Sequence, residues 1–331
     1  MGGKTERITN NQEGESKTRG IVELIDQIEA DEEKKEATKK LVTDLLNQIE
    51  DKYGEGGEGS KPFHDLDHSI EFVVDSLVAF DLYQEKYPNL ISPKDKLFVI
   101  IAGAGHDIIQ ENNGMQDPGK NEQESVELVL RQISKDDKLK NIFSDEEKSW
   151  VIKMILATQF DFANHRQLLT RDNIQIKEDM LERIMALADL MALGDFDRQY
   201  WRGNRLFWEV NTNKYQNEDI NGKLNLAISW FDGQIKFLHK QTEYLKKFDD
   251  ISIQFYPDIS ANIQLYTEIL EQVDILQQKF FSMEIKQEEV EENLERLLSK
   301  DKEIIDSLKN ELGLRKDRFK NKKTPADLLI S

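Results

Sequence analysis

Leu97-Phe98-Val99-Ile100-Ile101-Ala102-Gly103-Ala104-Gly105-His106-Asp107 decides how the rest of this chain is read. Apolar residues fill Leu97 to Ala102 and small ones follow, which suits a helix buried on all sides rather than one with a wet face. The run then ends in an imidazole beside a carboxylate. An isolated buried charge is costly, so the pair needs a compensating partner. Two readings fit the dipeptide taken alone: a His–Asp hydrogen bond inside the core, or an imidazole and a carboxylate that hold a divalent cation.

The surroundings bear on that choice. Upstream, Phe63-His64-Asp65-Leu66-Asp67-His68 sets two of the five histidines four positions apart, which on a helix puts them on one face. Downstream, Asp189 stands alone in the apolar helical pattern Ile184-Met185-Ala186-Leu187-Ala188-Asp189-Leu190-Met191. Each fragment supplies what a metal site lacks in the others, since a catalytic metal wants a few nitrogen and oxygen ligands from separate helices.

The ordered set His, His-Asp, Asp resembles the HD superfamily of metal-dependent phosphohydrolases. Phe63-His64-Asp65-x-x-His68 is also similar to the Tyr-His-Asn-x-x-His of its cyclic-nucleotide phosphodiesterase branch, with Asp65 where that branch has Asn. The resemblance spans Phe63 to Arg205. It implies an all-α helical bundle and a single divalent ion held by His68, His106, Asp107 and Asp189. Such mixed ligation fits Mn, Fe, Zn, Co or Ni, and Mg only through waters. The same resemblance implies that His64 protonates the leaving oxygen, a role suited to imidazole near neutral pH.

Asn121-Glu122-Gln123-Glu124-Ser125 is similar to the Asn-Glu-x-x-Ser-Ala of bacterial members, which places Glu122 at the family's glutamate and leaves Glu124 as the fallback. A solvated helix start whose acids meet the helix dipole is the alternative to both. Trp150 to Gln159 resembles the helix that carries an additional histidine in two-metal members. Here Gln159 stands at that place, a poor divalent-metal ligand left with substrate contact as its implied role, and His165 follows as a further candidate for a ligand or substrate contact. Arg198 and Arg202, interleaved with Tyr200 and Trp201, offer bidentate phosphate contacts beside stacking faces; the alternative is helix packing with arginine stems laid over rings.

The expected function is hydrolysis of a phosphomonoester or phosphodiester of a small phosphorylated substrate, a nucleotide. Two other functions are kept in view. Alarmone pyrophosphohydrolases carry His-Asp-x-x-Glu-Asp, where this chain has His106-Asp107-Ile108-Ile109-Gln110-Glu111. A non-catalytic ligand-binding HD scaffold, signalling through its C-terminal helix, is of another class altogether.

Composition sets outer limits. A net charge of −19 argues against non-specific binding to nucleic acid or anionic membranes. With no cysteine, disulfides and thiolate metal sites are excluded. No window reaches the roughly 18 apolar residues of a spanning helix, so a soluble, cytoplasmic protein is expected. The organisation expected is a disordered tail over 1–19, the HD-type domain over 20–255, a helical or coiled-coil extension over 256–315 and a tail over 316–331.

In the extension a heptad runs through Tyr266, Val273, Phe280, Gln287, Leu294, Asp301 and Leu308, with Ile269, Leu276, Met283, Val290, Leu297 and Ile304 at the other core position. It predicts one long helix that forms a homodimer or packs back on the body.

Overall fold

The computed structural model describes residues 16–54, 59–111, 117–161, 166–167, 176–245 and 259–312. The fold is all-α; a two-residue antiparallel pairing of Phe160–Asp161 with Arg166–Gln167 is the one strand contact among the described residues. The chain divides into two compact units at Asp189/Leu190.

The first unit is built around the decisive run. Helix α1 is traced over residues 16–26, followed by α2 (Glu32–Tyr53), α3 (Leu66–Lys86), a 3-10 turn (Pro93–Asp95) and α4 (Lys96–Gly105). Next come α5 (Lys120–Lys135), α6 (Asp137–Ile142), α7 (Asp145–Leu156) and α8 (Lys177–Ala188). Every residue from Leu97 to Gly105 is buried, because α4 is enclosed by α2, α3 and α7.

Local chemistry starts several of these helices. Asp31 caps α2 by accepting from the Lys34 N–H, and Ser144 with Glu147 forms a capping box at α7. Gly103 allows α4 to lie close on α3: a Cβ there would meet Cγ2 of Val73 at 2.9 Å. Asp95, fully buried, is held by Lys177 at 2.8 Å and accepts from the Ser92 N–H and hydroxyl. That ion pair ties the start of α8 to the start of α4.

The second unit contains a 3-10 turn (Met191–Gly194) and α9 (Phe196–Asn217), α10 (Ile220–Leu245), α11 (Ile259–Phe281), α12 (Gln287–Leu297) and α13 (Lys302–Glu311). Helices α10 and α11 pack along each other, and α9, α12 and α13 close around them. Tyr200, Phe207, Phe231, Leu265, Tyr266 and Ile269 form its core.

Two expectations about organisation are corrected. Because α9 and α10 pack with α11, the boundary falls at 189/190 and not near residue 255. The N-terminal tail expected over 1–19 is already helical from residue 16; residues 1–15 and the tail over 316–331 lie outside the described residues.

The single long heptad helix is also replaced, by three helices. The chain turns after Phe281, with Met283 at φ 60°, and again at Ser299–Asp301. Asp301, which interrupts the heptad, is the N-cap of α13 and accepts from the Glu303 N–H at 2.8 Å. The burial phase resets at each turn: Val290, Leu294 and Leu297 face inward on α12, Ile305 and Leu308 on α13, while Met283 is 92 % exposed. Tyr266, Ile269, Val273, Val290, Leu294, Leu297 and Leu308 of the heptad are thus covered within the unit, while Met283 and Ile304 are left exposed.

Candidate metal centre

Three of the expected ligands meet. His68 on α3, His106 at the C-terminal cap of α4 and Asp107 just beyond it bring one ligand atom each within 4.8 Å of one another. His68 Nε2 lies 2.9 Å and His106 Nε2 3.0 Å from the same oxygen, Asp107 Oδ2. The two histidines are buried, and Asp107 lies at the edge of the cluster.

Each group has a local reason for its place. His68 sits in the first turn of α3, where Asp65 accepts its N–H at 3.1 Å. An N-cap can be Asp or Asn, so the departure from the phosphodiesterase pattern at residue 65 preserves the capping role. His64 therefore precedes the helix instead of standing one helical turn from His68 within it. Its Nε2 is nevertheless 4.0 Å from Asp107 Oδ2, and its ring centroid is 5.7 Å from that of His68.

His106 is fixed from two sides. Its ring stacks on Phe72 with centroids 3.8 Å apart, and Nδ1 lies 2.8 Å from the Gly103 carbonyl. Only a protonated Nδ1 can donate there, so in the neutral ring Nε2 carries the lone pair. That nitrogen is buried and makes no hydrogen bond. A lone pair facing a carboxylate oxygen at 3.0 Å is tolerable only if a cation intervenes or Nε2 takes a proton.

The electrostatics follow from this crowding. Burial alone would depress the His106 pKa, but the Asp107 carboxylate at 3.0 Å, with the charge of Asp189, outweighs it and raises the value. Burial alone would raise Asp107, yet His106, His68 and His64 hold it well below the usual carboxylate range. Glu122 is pushed up by burial against a backbone hydrogen bond, and the Asp107 charge adds to the rise. Glu122, in the first turn of α5, thus feels the cluster.

The loop after Asp107 is pinned by Ser125 and Asn121 of the Asn-Glu-x-x-Ser stretch and by Tyr53, which the sequence did not single out. The Ile109 N–H donates to Ser125 Oγ at 3.1 Å, and the Gln110 N–H donates to the Tyr53 hydroxyl at 2.8 Å. Gln110 Nε2 donates to Asp107 Oδ1 at 2.7 Å, and Asn121 Nδ2 donates to Gln110 Oε1 at 3.3 Å. Asn121, Glu122 and Ser125 of the Asn-Glu-x-x-Ser stretch all turn towards the His-Asp segment. Phe72 had a signal in its spacing of four from His68; Tyr53, on α2, had none.

Asp189, the C-cap of α8, raises the His106 pKa but is not part of the grouping that places His68, His106 and Asp107 together. Gln159 packs against Gly119, the left-handed residue (φ 80°) that precedes α5. His165 and residues 112–116 of the polar loop after Asp107 lie outside the described residues.

Arg198 and Arg202 belong to the second unit. Arg198 is paired with Asp195, Nε to Oδ2 at 2.8 Å, and Arg202 is buried. The neighbouring aromatics serve structure. Tyr200 and Asn204 donate to the Leu297 carbonyl, Asn204 also to Ser299, Trp208 to Leu298 and Trp201 to Lys300. The carbonyls at the end of α12 are thereby satisfied by α9. Trp201 further lies against the cations of Arg205 and Lys302, so its faces are not open platforms for a base.

No described helix is long and apolar enough to cross a membrane. Comparison of the chain with models of protein families, with curated proteins and with solved structures gives no match.

Proposed function

We propose that this chain is a metal-dependent phosphohydrolase whose site is His68, His106 and Asp107, with Asp189 close enough to contribute charge. The observation that carries the reading is the buried Nε2 of His106, which has no hydrogen bond and faces Asp107 Oδ2 beside His68 Nε2. The donor chemistry fits a divalent ion: two imidazole nitrogens and a carboxylate oxygen suit Mn, Fe, Co, Ni or Zn better than Mg. When bound, such an ion supplies Lewis-acid polarisation of a phosphoryl oxygen and a lowered pKa for water.

The chain's own groups would do the rest. His64, 20 % exposed by its side chain and at the rim of the cluster, would hold a proton for the leaving oxygen of the ester. Glu122, with its raised pKa, would accept a proton more readily than an ordinary carboxylate. The buried walls of α3 and α4 exclude water behind the histidines.

Pyrophosphate hydrolysis of the alarmone type stands second, because Gln110 replaces an acid of that pattern and its amide is engaged by Asp107. The test is turnover of bis-p-nitrophenyl phosphate by the full chain, stripped of metal and then supplied with Mn. Manganese-dependent release of p-nitrophenolate is expected. Saturable metal binding without turnover of this or any ester in a nucleotide panel would leave the binding-scaffold alternative instead.

A further inference from the structure

We propose that Gln110 is a positioning residue that makes Asp107 a one-oxygen ligand, by occupying Oδ1 with its side-chain amide and leaving Oδ2 alone to face the imidazoles. The inference rests on the metal reading above and deepens it. Gln110 Nε2 is 2.7 Å from Asp107 Oδ1, whereas Oδ2 is 2.9 Å from His68 Nε2 and 3.0 Å from His106 Nε2. The two carboxylate oxygens therefore have separate duties.

Gln110 can perform this task because it is itself held at two points. Its backbone N–H donates to the hydroxyl of Tyr53, a buried residue of α2, at 2.8 Å. Its side-chain carbonyl accepts from Asn121, buried at the start of α5, at 3.3 Å. With the carbonyl facing the Asn121 amide, the Gln110 NH2 group is the end that points at the carboxylate. Three helices thus converge on the orientation of one carboxylate.

The choice of glutamine has chemical consequences. A glutamate here, ionised, could not donate to Oδ1 and would set two carboxylates against each other. A leucine would leave Oδ1 without its donor and let the carboxylate rotate or chelate through both oxygens. A single carboxylate oxygen beside two nitrogens favours ions that accept imidazole over calcium, which gathers 6–8 oxygens in ordinary sites.

The experiment is a titration of the chelated full-length chain with Co(II), read by visible absorption and by competition with a chromophoric chelator. Gln110→Leu is expected to lose about 10- to 100-fold in Co(II) affinity. Its absorption per bound ion should also fall and shift, because the carboxylate no longer binds through one oxygen. Asn121→Ala should move both readouts in the same direction by less. Gln110→Glu, isosteric and so tolerant of folding, should lose affinity as well.

Equal affinity and an unchanged spectrum in Gln110→Leu, beside a wild type that binds, would overturn the positioning role while leaving the metal site standing. A gain of affinity in Gln110→Glu would overturn it too, by showing that residue 110 works as a ligand. A wild-type chain without a saturable Co(II) band would bring down the metal reading and this inference with it.

Discussion

His106 donates Nδ1–H to the carbonyl of Gly103, three residues before it, and so turns Nε2 onto Oδ2 of Asp107 at 3.0 Å. The helix end thereby chooses the tautomer, and the tautomer chooses which nitrogen can bind a cation. His106→Ala and Asp107→Ala should each abolish retention of metal through gel filtration, measured by elemental analysis. Stoichiometric metal in either variant would show that the ion sits elsewhere.

His64 separates catalysis from binding. His64→Ala should keep its metal and lose ~100- to 10,000-fold in turnover of esters with poor leaving groups. The loss should shrink for p-nitrophenyl esters, which scarcely need the proton. A variant that loses its metal would make His64 a ligand, and one equally active on both kinds of ester would make it a bystander.

The pH dependence of the chelated protein follows from two opposite shifts. His106 is raised above 6.5, so its contribution to stability is full below 6.5 and is lost as pH climbs through the folded-state value. Asp107 lies well below 3.8, so its contribution is full above 3.8 and is lost as pH falls through the folded-state value. Glu122, raised above 4.5, adds a second loss on the alkaline side. Thermal melts in chelator at about pH 3, 5 and 8 should peak at the middle value, and Asp107→Asn should flatten the profile. An equally peaked profile in that variant would place the titrating pair elsewhere.

Gly103→Ala tests the packing that aims His106. The new Cβ would meet Val73 Cγ2 at 2.9 Å and Phe72 at 3.4 Å. The strain should cost about 1–3 kcal/mol in denaturant unfolding. A neutral result would mean that α3 yields easily, and the ring stack of Phe72 on His106 would then be less rigid than the geometry implies.

Much of the site was legible because its members carry rare chemistry in a fixed order. His68, His106 and Asp107 stand out from apolar neighbours, and α4 announces its burial by having no polar face. Gln110 and Tyr53 were not legible in the same way: each is an ordinary residue made important by a partner on another helix. The heptad misled for a related reason. Its period passes through Met283 and resumes after the polar Asp301, but a left-handed residue ends one helix and an N-cap starts another whatever the apolar spacing says. Asp301 carried a signal, since a polar residue at a core position can be a cap; Met283 carried none. Likewise the Tyr-Trp-Arg run of α9 reads equally well as a ligand platform or as a set of donors, and only the carbonyls of residues 297–300 decide.

Met283 offers a separate check on that turn. Its φ of 60° costs about 1–2 kcal/mol for a residue with a Cβ. Met283→Gly removes that strain at the expense of unfolded-chain freedom, and a net gain of about 0.5–1 kcal/mol is expected in chemical unfolding. A loss of stability would mean that the exposed side chain contributes more than its 92 % exposure suggests.

The bonds from α9 to the end of α12 also impose an order of events. Trp201 and Asn204 meet carbonyls 99 and 95 positions further along the chain. At a synthesis rate of about 5–20 residues per second, these donors leave the ribosome roughly 5–20 s before their acceptors exist. During that interval the aromatic face of α9 has no native cover, and long-range closure makes the second unit the slower one to assemble. Chains released before residue 300 would keep that face exposed and sticky, a natural handle for chaperones and proteases.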